Sequence, residues 1–314
     1  MDVVTLGETM VLFTAGSIGP LRFAKQFEKT IGGAESNLSI AISRLGHQVG
    51  WISRLGDDEF GLFTRDFIRG EGVDTSHVKF DPKFPTAVFF KERQAAHDPK
   101  IYYYRKGSAA SQMTPEDLDE QYIASAKYLH ITGITPALSD SCKETVLAAI
   151  ELARKNGLTI VFDPNIRLKL WSKEEARKTL MEIAALCDIV LPGIEEGEIL
   201  TGEDSPEGIA KVLLANGSKL VVIKLGAKGA FYANKEKQEY VAGYPVEHIV
   251  DTVGAGDGFA AGFISGLLRG FDYREAVKLG NRIGAFALTV LGDVEGYPFW
   301  SQIDPSKGDQ IINR

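Results

Sequence analysis

Asp251-Thr252-Val253-Gly254-Ala255-Gly256-Asp257-Gly258-Phe259 places an acid at the mouth of a helix whose first turn is almost bare backbone. Beyond it, Phe259, Ala260, Phe263, Ile264, Leu267 and Leu268 recur at helical spacing and predict one apolar face. Gly254, Ala255 and Gly256 carry little or no side chain, so their N–H groups can approach an anion closely. A helix start adds unpaired donors and a partial positive charge. Asp257 stands at the edge of that anion site, where a carboxylate can accept a hydroxyl proton during phosphoryl transfer. An Asp in a first helical turn is also favourable on electrostatic grounds alone, so the surroundings must decide. No Lys-Ser or Lys-Thr follows the glycines, as a P-loop requires. Their spacing also fails the dinucleotide fingerprint, which normally follows the first strand.

The surroundings are those of an α/β protein. With 314 residues, 44% hydrophobic and 25% charged, the chain can bury a large core. A formal net charge of −7 argues against nucleic acid or an anionic membrane as the main partner, though not against a small anionic ligand, which feels local charge. Cys142 and Cys187 are too few and too scattered for a disulfide framework or a zinc site. No signal-peptide pattern or bilayer-length apolar run is visible, so a soluble cytoplasmic protein is expected. From about residue 115 helix and strand alternate. Apolar runs at Tyr128–Ile131, Leu158–Phe162, Asp188–Leu191 and Leu220–Lys224 suit a parallel sheet covered on both faces. Earlier, Leu38, Ala41, Ile42 and Leu45 form a helical face ending at Gly46, followed by a strand at Val49–Ser53.

Thr86–Arg93 and Ile101–Lys106 alternate with a period of two and predict a small sheet standing off the main one, as a lid or as a hairpin at the sheet edge. In the second, Ile101, Tyr103 and Arg105 share one side, and Tyr102, Tyr104 and Lys106 the other. Polar residues gather where the core strands should end, at Asp163–Arg167, Pro192–Glu196 and Gly226–Gly229. Ligands of open α/β sheets bind outside the carboxyl ends of strands, so these loops should converge with 251–257 on one crevice.

Gly32-Gly33-Ala34-Glu35-Ser36-Asn37 and Asp251–Asp257 resemble the two signatures of the ribokinase-like (PfkB) carbohydrate kinases, in the family's order. Within the family, Tyr102–Ala109, Ile131–Leu138 and Asp163–Arg167 resemble 2-keto-3-deoxygluconate kinases. The resemblance implies an α/β fold with a ribokinase-like (Rossmann-like) core, its central sheet mainly parallel and flanked by helices. It implies a single domain over 1–314 with a β lid inserted at about 12–31 and 84–108. ATP and Mg²⁺ would be cosubstrate and cofactor. The phosphoryl group would go to the terminal hydroxyl of 2-keto-3-deoxygluconate, with Asp257 as base and Gly254, Ala255 and Gly256 as the anion hole. A kinase of a neutral ketose such as fructose is the alternative, and a catalytically silent sugar sensor a more distant one.

A sugar acid carries a carboxylate, which guanidinium groups can grip bidentately. Arg105 and Arg167 are the candidates, with Tyr103 covering the sugar and Gly33 meeting it through backbone. The resemblance adds Ile134 and Phe89 to that set, although this subgroup leads one to expect tyrosine at 89. It places Gly226, Ala227, Lys228 and Gly229 by the nucleotide and Asn165 and Arg167 by its phosphates. Lys between glycines is otherwise an ordinary solvated turn. Glu196 matches the glutamate of the family's Asn-x-x-Glu motif, which tunes Mg²⁺ through water, but Gly193 replaces its asparagine. Glu195, Glu196 and Glu198 together also read as a wet helix face. A monovalent cation near the second signature would put potassium at Asp251. Lid strands with an exposed apolar face imply a homo-oligomer.

Overall fold

Val3, Val4 and Leu6 suit a pleated, fully buried segment, and they open the chain as β1 (Val3–Leu6). The computed structural model describes residues 1–94 and 100–304. After β1 come β2 (Met10–Ile18), β3 (Phe27–Gly32), α1 (Ala34–Arg44), β4 (Val49–Gly56), α2 (Glu59–Gly70), β5 (Val78–Asp81), β6 (Val88–Arg93) and β7 (Lys100–Tyr104). The alternating part runs through α3 (Glu120–Ala124), β8 (Tyr128–Thr132), α4 (Asp140–Lys155), β9 (Thr159–Asp163), α5 (Lys173–Ala184) and β10 (Ile189–Val190). It continues with α6 (Ile194–Thr201), α7 (Pro206–Ala215), β11 (Leu220–Lys224), β12 (Ala230–Asn234), β13 (Gln238–Val241), α8 (Ala255–Leu268), α9 (Tyr273–Ala287) and α10 (Trp300–Ile303).

Nine strands form the main sheet in the order β13-β12-β11-β10-β9-β8-β1-β4-β5. Pairing is parallel from β5 to β11 and antiparallel only at β12 and β13. The apolar runs face both ways, as expected of a doubly covered sheet. Val3, Val161, Ile189 and Val222 pack with Leu38 and Ile42 of α1 and Phe259 and Phe263 of α8. Val4, Ile160, Phe162, Val190 and Val221 pack on the other side with Val146 and Ile150 of α4, Ile183 of α5 and Leu213 of α7. The run at 188–191 yields a strand of only two residues, yet Leu191 still donates from its backbone to Phe162 O at 2.8 Å.

Helix α8 departs from the expectation of one apolar face. Residues 258–266 are buried without a break, because glycines let α9 approach from the side that would otherwise be wet. A Cβ on Gly262 would lie 2.8 Å from Leu279 O, and one on Gly266 2.7 Å from Ala276 Cα. A helix apolar all round belongs in a core.

The second sheet has the order β3-β2-β6-β7, so the 86–106 segment forms no hairpin on the edge of the main sheet. Phe89 pairs with Tyr103 and Lys91 with Ile101 across β6 and β7. Met10, Leu12, Ala87 and Phe89 cluster on one face of it. Residues 95–99 of the expected lid lie outside the described residues.

Candidate functional site

β1 lies between β4 and β8, and the chain runs outward from it in opposite directions on its two sides. That is a topological switch point, where strand ends leave a crevice. A cavity of about 400 Å³ opens there. Glu8 follows β1, Ile134 follows β8, Asn165 and Arg167 follow β9, and Lys224 closes β11; all line the cavity. Glu196 on α6 and Gly254, Gly256 and Asp257 at the start of α8 line it too. The second sheet covers it with Phe89, Tyr103 and Arg105, and Gly33 enters from the start of α1.

Asp257 sits in the first turn of α8 among polar neighbours. Asn37 Nδ2 donates to its Oδ2 at 2.8 Å, and Asn165 Nδ2 to its Oδ1 at 3.4 Å. Removal from water pushes the carboxyl up to about 7; Asn37 opposes this, Asp163 adds to it, and Arg167 and Lys224 oppose it. A carboxylate titrating there is matched to proton transfer near neutrality. Lys224 Nζ donates to Asp163 Oδ2 at 2.7 Å. Burial pulls that ammonium down, but Asp163, Glu196 and Asp257 together hold it above its usual range. Asn165 adopts φ 37°, the one non-glycine residue at positive φ among the described residues. Such local strain is retained where surrounding contacts enforce it, here a bond from its own N–H to Asp163 Oδ1 at 3.2 Å.

Gly254 precedes α8 at φ 80°, and a Cβ there would lie 2.2 Å from Asp293 O. Only glycine fits. Above Gly256 a Cβ would meet nothing nearer than Lys224 Nζ at 3.6 Å, so its bareness leaves the first-turn amides open to the cavity. Ala255 opens the same turn but does not line the cavity. Gly33 lines it, yet its requirement for glycine comes from elsewhere: a Cβ would strike Glu8 O at 2.5 Å and Thr9 Cα at 2.9 Å.

Ile101, Tyr103 and Arg105 all face the cavity, while Tyr102 and Tyr104 line a separate groove, so the two-residue alternation holds. Tyr103 stacks on Phe89 with ring centroids 5.6 Å apart. Arg105 is not a lone cation. Its Nε donates to Glu8 Oε2 at 2.7 Å, and Ser108 Oγ donates to Glu8 Oε1. Arg167 is exposed at the rim, and Asp163, the acid nearest in sequence, is held by Lys224 instead.

Among the described residues Glu196 takes its hydrogen bonds from backbone, from Gly193 N at 2.7 Å and Ile166 N at 2.9 Å. The missing asparagine side chain is therefore not needed to aim it. Each carboxylate oxygen keeps lone pairs for water, which fits a magnesium ion bound mainly by phosphate and water. Among the described residues no group of three or more His, Cys, Asp or Glu side chains is arranged to hold a metal. Gly226, Ala227 and Lys228 form an exposed turn after β11, outside the cavity lining, with Gly229 buried behind them.

Asp251 does not fit a bound potassium ion: the Lys91 ammonium, reaching from β6, already holds its carboxylate, and both side chains are nearly inaccessible. Sequence reasoning gave no role to Glu8, Asn37, Lys91, Asp163, Lys224 or Asp293. Signals were nonetheless present: Asn37 closes the Gly32–Asn37 signature and Asp163 opens the Asp163–Arg167 run. Lys91 falls in phase with Phe89 on an otherwise apolar strand face, and Glu8 stands two residues past the first core strand.

The sequence profile described as "pfkB family carbohydrate kinase" matches residues 1–300. A 2-dehydro-3-deoxygluconokinase of Bacillus subtilis (strain 168) is 43% identical over 300 residues, 95% of this chain and 93% of the relative. One of the same name from Thermoproteus tenax is 37% identical over 319 residues, 99% of this chain and 94% of the relative. Among solved structures, a putative ribokinase II of E. coli in complex with ATP and Mg²⁺ superposes with a TM-score of 0.90 at 30% identity. That match covers 97% of this chain and 98% of the other.

Proposed function

Because the chain belongs to the pfkB family of carbohydrate kinases, we infer that it phosphorylates 2-keto-3-deoxygluconate (2-dehydro-3-deoxygluconate) with ATP. The terminal hydroxyl is the acceptor, and 2-keto-3-deoxy-6-phosphogluconate is the product. One observation carries this reading: a carboxylate at a helix mouth shares a single cavity with the guanidinium groups of Arg105 and Arg167. The first arrangement serves phosphoryl transfer, and the second serves an acidic sugar. The names of the two relatives and the ATP complex of the structural neighbour support it.

In this reading Asp257 orients the terminal hydroxyl and takes its proton late, since the transition state of phosphoryl transfer is loose. The open amides at Gly254 and Gly256, with Ala255 shaping the turn between them, face the charge that grows on the transferring group, which is the larger contribution. Arg105, held by Glu8, grips the sugar carboxylate, and Arg167 at the rim faces either the sugar acid or phosphate. Tyr103 and Phe89 wall the sugar, with Gly33 and Ile134 beside them. Asn165 and the turn Gly226–Gly229, with Lys228, lie along the path of the nucleotide. Glu196 would hold Mg²⁺ through water; when bound, the ion neutralises phosphate charge.

The second sheet serves as the lid of a single domain. Tyr104 on the side away from the cavity is 66% exposed, and Phe23, in the turn that joins β2 to β3, is 69% exposed, which favours a homo-oligomer joined through that sheet. No described helix is long and apolar enough to cross a membrane. Two buried free thiols, Cys142 and Cys187, suit a cytoplasmic setting.

A coupled assay with ATP and Mg²⁺ over a panel of sugars tests the function. Turnover should be high on 2-keto-3-deoxygluconate and low on fructose; the reverse order would establish the neutral-ketose alternative. The rate should also depend on pH in one direction. Asp257 must be ionised to accept a proton, and its carboxyl titrates near 7. Accordingly kcat/KM should be lost as pH falls through about 7 and level off above it. A profile flat from about pH 5 to about pH 9 would remove Asp257 as the base.

A further inference from the structure

Lys91 is out of place by composition. It shares the β6 face that Ala87 and Phe89 direct at Met10 and Leu12, and lysine is almost never fully buried unless paired. Its side chain is 3% exposed, and its ammonium donates to Oδ2 of Asp251, whose own side chain is 4% exposed. The remaining contacts of that carboxylate are backbone N–H groups, Val253 to Oδ1 at 3.3 Å and Gly292 to Oδ2 at 3.4 Å. Asp293 lies close by; its carboxyl is raised to about 7 by burial, with Lys91 opposing and Asp251 reinforcing. The neighbourhood is thus an acidic, nearly dry recess into which the lid strand inserts one positive charge.

This recess connects directly to the helix mouth. Asp251 begins the four-residue passage that ends at Gly254, and Gly254 is pinned from behind by Asp293 O and by Tyr297, whose hydroxyl donates to Gly254 O at 2.6 Å. A free cation at Asp251 would have to share the carboxylate with a fixed ammonium, and like charges in so poorly solvated a place repel strongly. Lys91 differs from a free ion in one respect: it is covalently part of β6, so its charge arrives with the lid.

We propose that the Lys91 ammonium occupies the role a monovalent cation would have at Asp251. It is a positioning residue that shapes the 251–254 turn, ties lid placement to the anion-binding amides and frees the protein from any need for potassium. The kinetic part of this rests on the kinase reading above; the binding part does not.

The test uses the full chain and its Lys91→Met and Lys91→Arg variants in tetramethylammonium buffer, with KCl or NH₄Cl added at constant ionic strength. Turnover of ATP with 2-keto-3-deoxygluconate, thermal melting and thallium(I) NMR are read in parallel. For the parent, kcat should change by less than about twofold with potassium, and thallium should show no potassium-displaceable binding. Lys91→Met should lose about tenfold or more in kcat, with a smaller change in KM for the sugar acid. Ammonium or potassium should restore part of that loss and raise the melting temperature of this variant alone, while Lys91→Arg should keep most activity without added cation. Potassium activation of the parent by severalfold, thallium binding to it, or a Met variant as active as the parent without cation would each overturn the proposal. If the Met variant does not fold, the parent titrations decide. If the substrate assignment is what fails, the parent will not turn over this sugar in any salt, while melting and thallium binding still report on Asp251.

Discussion

Replacing Asp257 with Asn should lower kcat by about a thousandfold, the middle of the range for a lost general base and about 4 kcal/mol of barrier. ATP affinity should stay close to that of the parent. The amide retains the shape of the carboxyl and can still accept from Asn37, now at 2.8 Å; what it gives up is the longer contact from Asn165 at 3.4 Å. Stability should not fall. In the folded protein the carboxyl titrates near 7 instead of 3.8, so its contribution is fully favourable below about 4 and is lost as pH rises through about 7. Asn has nothing to ionise, so at pH 8 the variant should melt at or above the temperature of the parent. Single-turnover kinetics and melting curves check both halves. A residual rate near that of the parent would take Asp257 out of the chemistry, and a collapsed melting temperature would show that it is a structural acid.

Arg105→Ala should raise KM for the sugar acid by on the order of a hundredfold, the weight of a charge-assisted, bidentate contact, and leave KM for ATP nearly unchanged. Here the structure adds a complication absent from the sequence. Glu8 is fully buried and receives Arg105 and Ser108, so removing the guanidinium strands a buried charge at a cost of about 3–5 kcal/mol. The single variant should therefore also melt early. Adding Glu8→Gln removes the stranded charge. The double variant should recover stability but not affinity for the sugar acid. Equal effects on sugar and ATP, or recovery of both properties together, would assign Arg105 to scaffolding.

The site was readable where its chemistry is local in sequence. The 251–257 stretch carries the proposed anion hole and base within seven positions, and the period of two at 101–105 was enough to aim Tyr103 and Arg105 at one cavity. What remained hidden depends on pairs far apart in the chain. Glu8 with Arg105, Asp163 with Lys224, and Lys91 with Asp251 meet only because parallel strand ends and an inserted sheet converge. No local periodicity encodes such meetings. The obstacle to potassium at Asp251 was hidden for that reason: Asp251 reads as an open acid until a strand 160 residues away delivers an ammonium to it. The wet side anticipated for α8 failed similarly, because glycines at 262 and 266 announce close packing only once α9 is seen against them.

The most direct measurement is NMR of the product formed from 2-keto-3-deoxygluconate, ATP and Mg²⁺ by the purified chain. The expected result is a new phosphate ester whose phosphorus couples to the terminal methylene protons of the sugar acid, formed in step with ADP. ADP released without that ester, or a phosphorus coupled to any other carbon of the sugar, would contradict an Asp257 that receives the terminal hydroxyl while Arg105 holds the carboxylate.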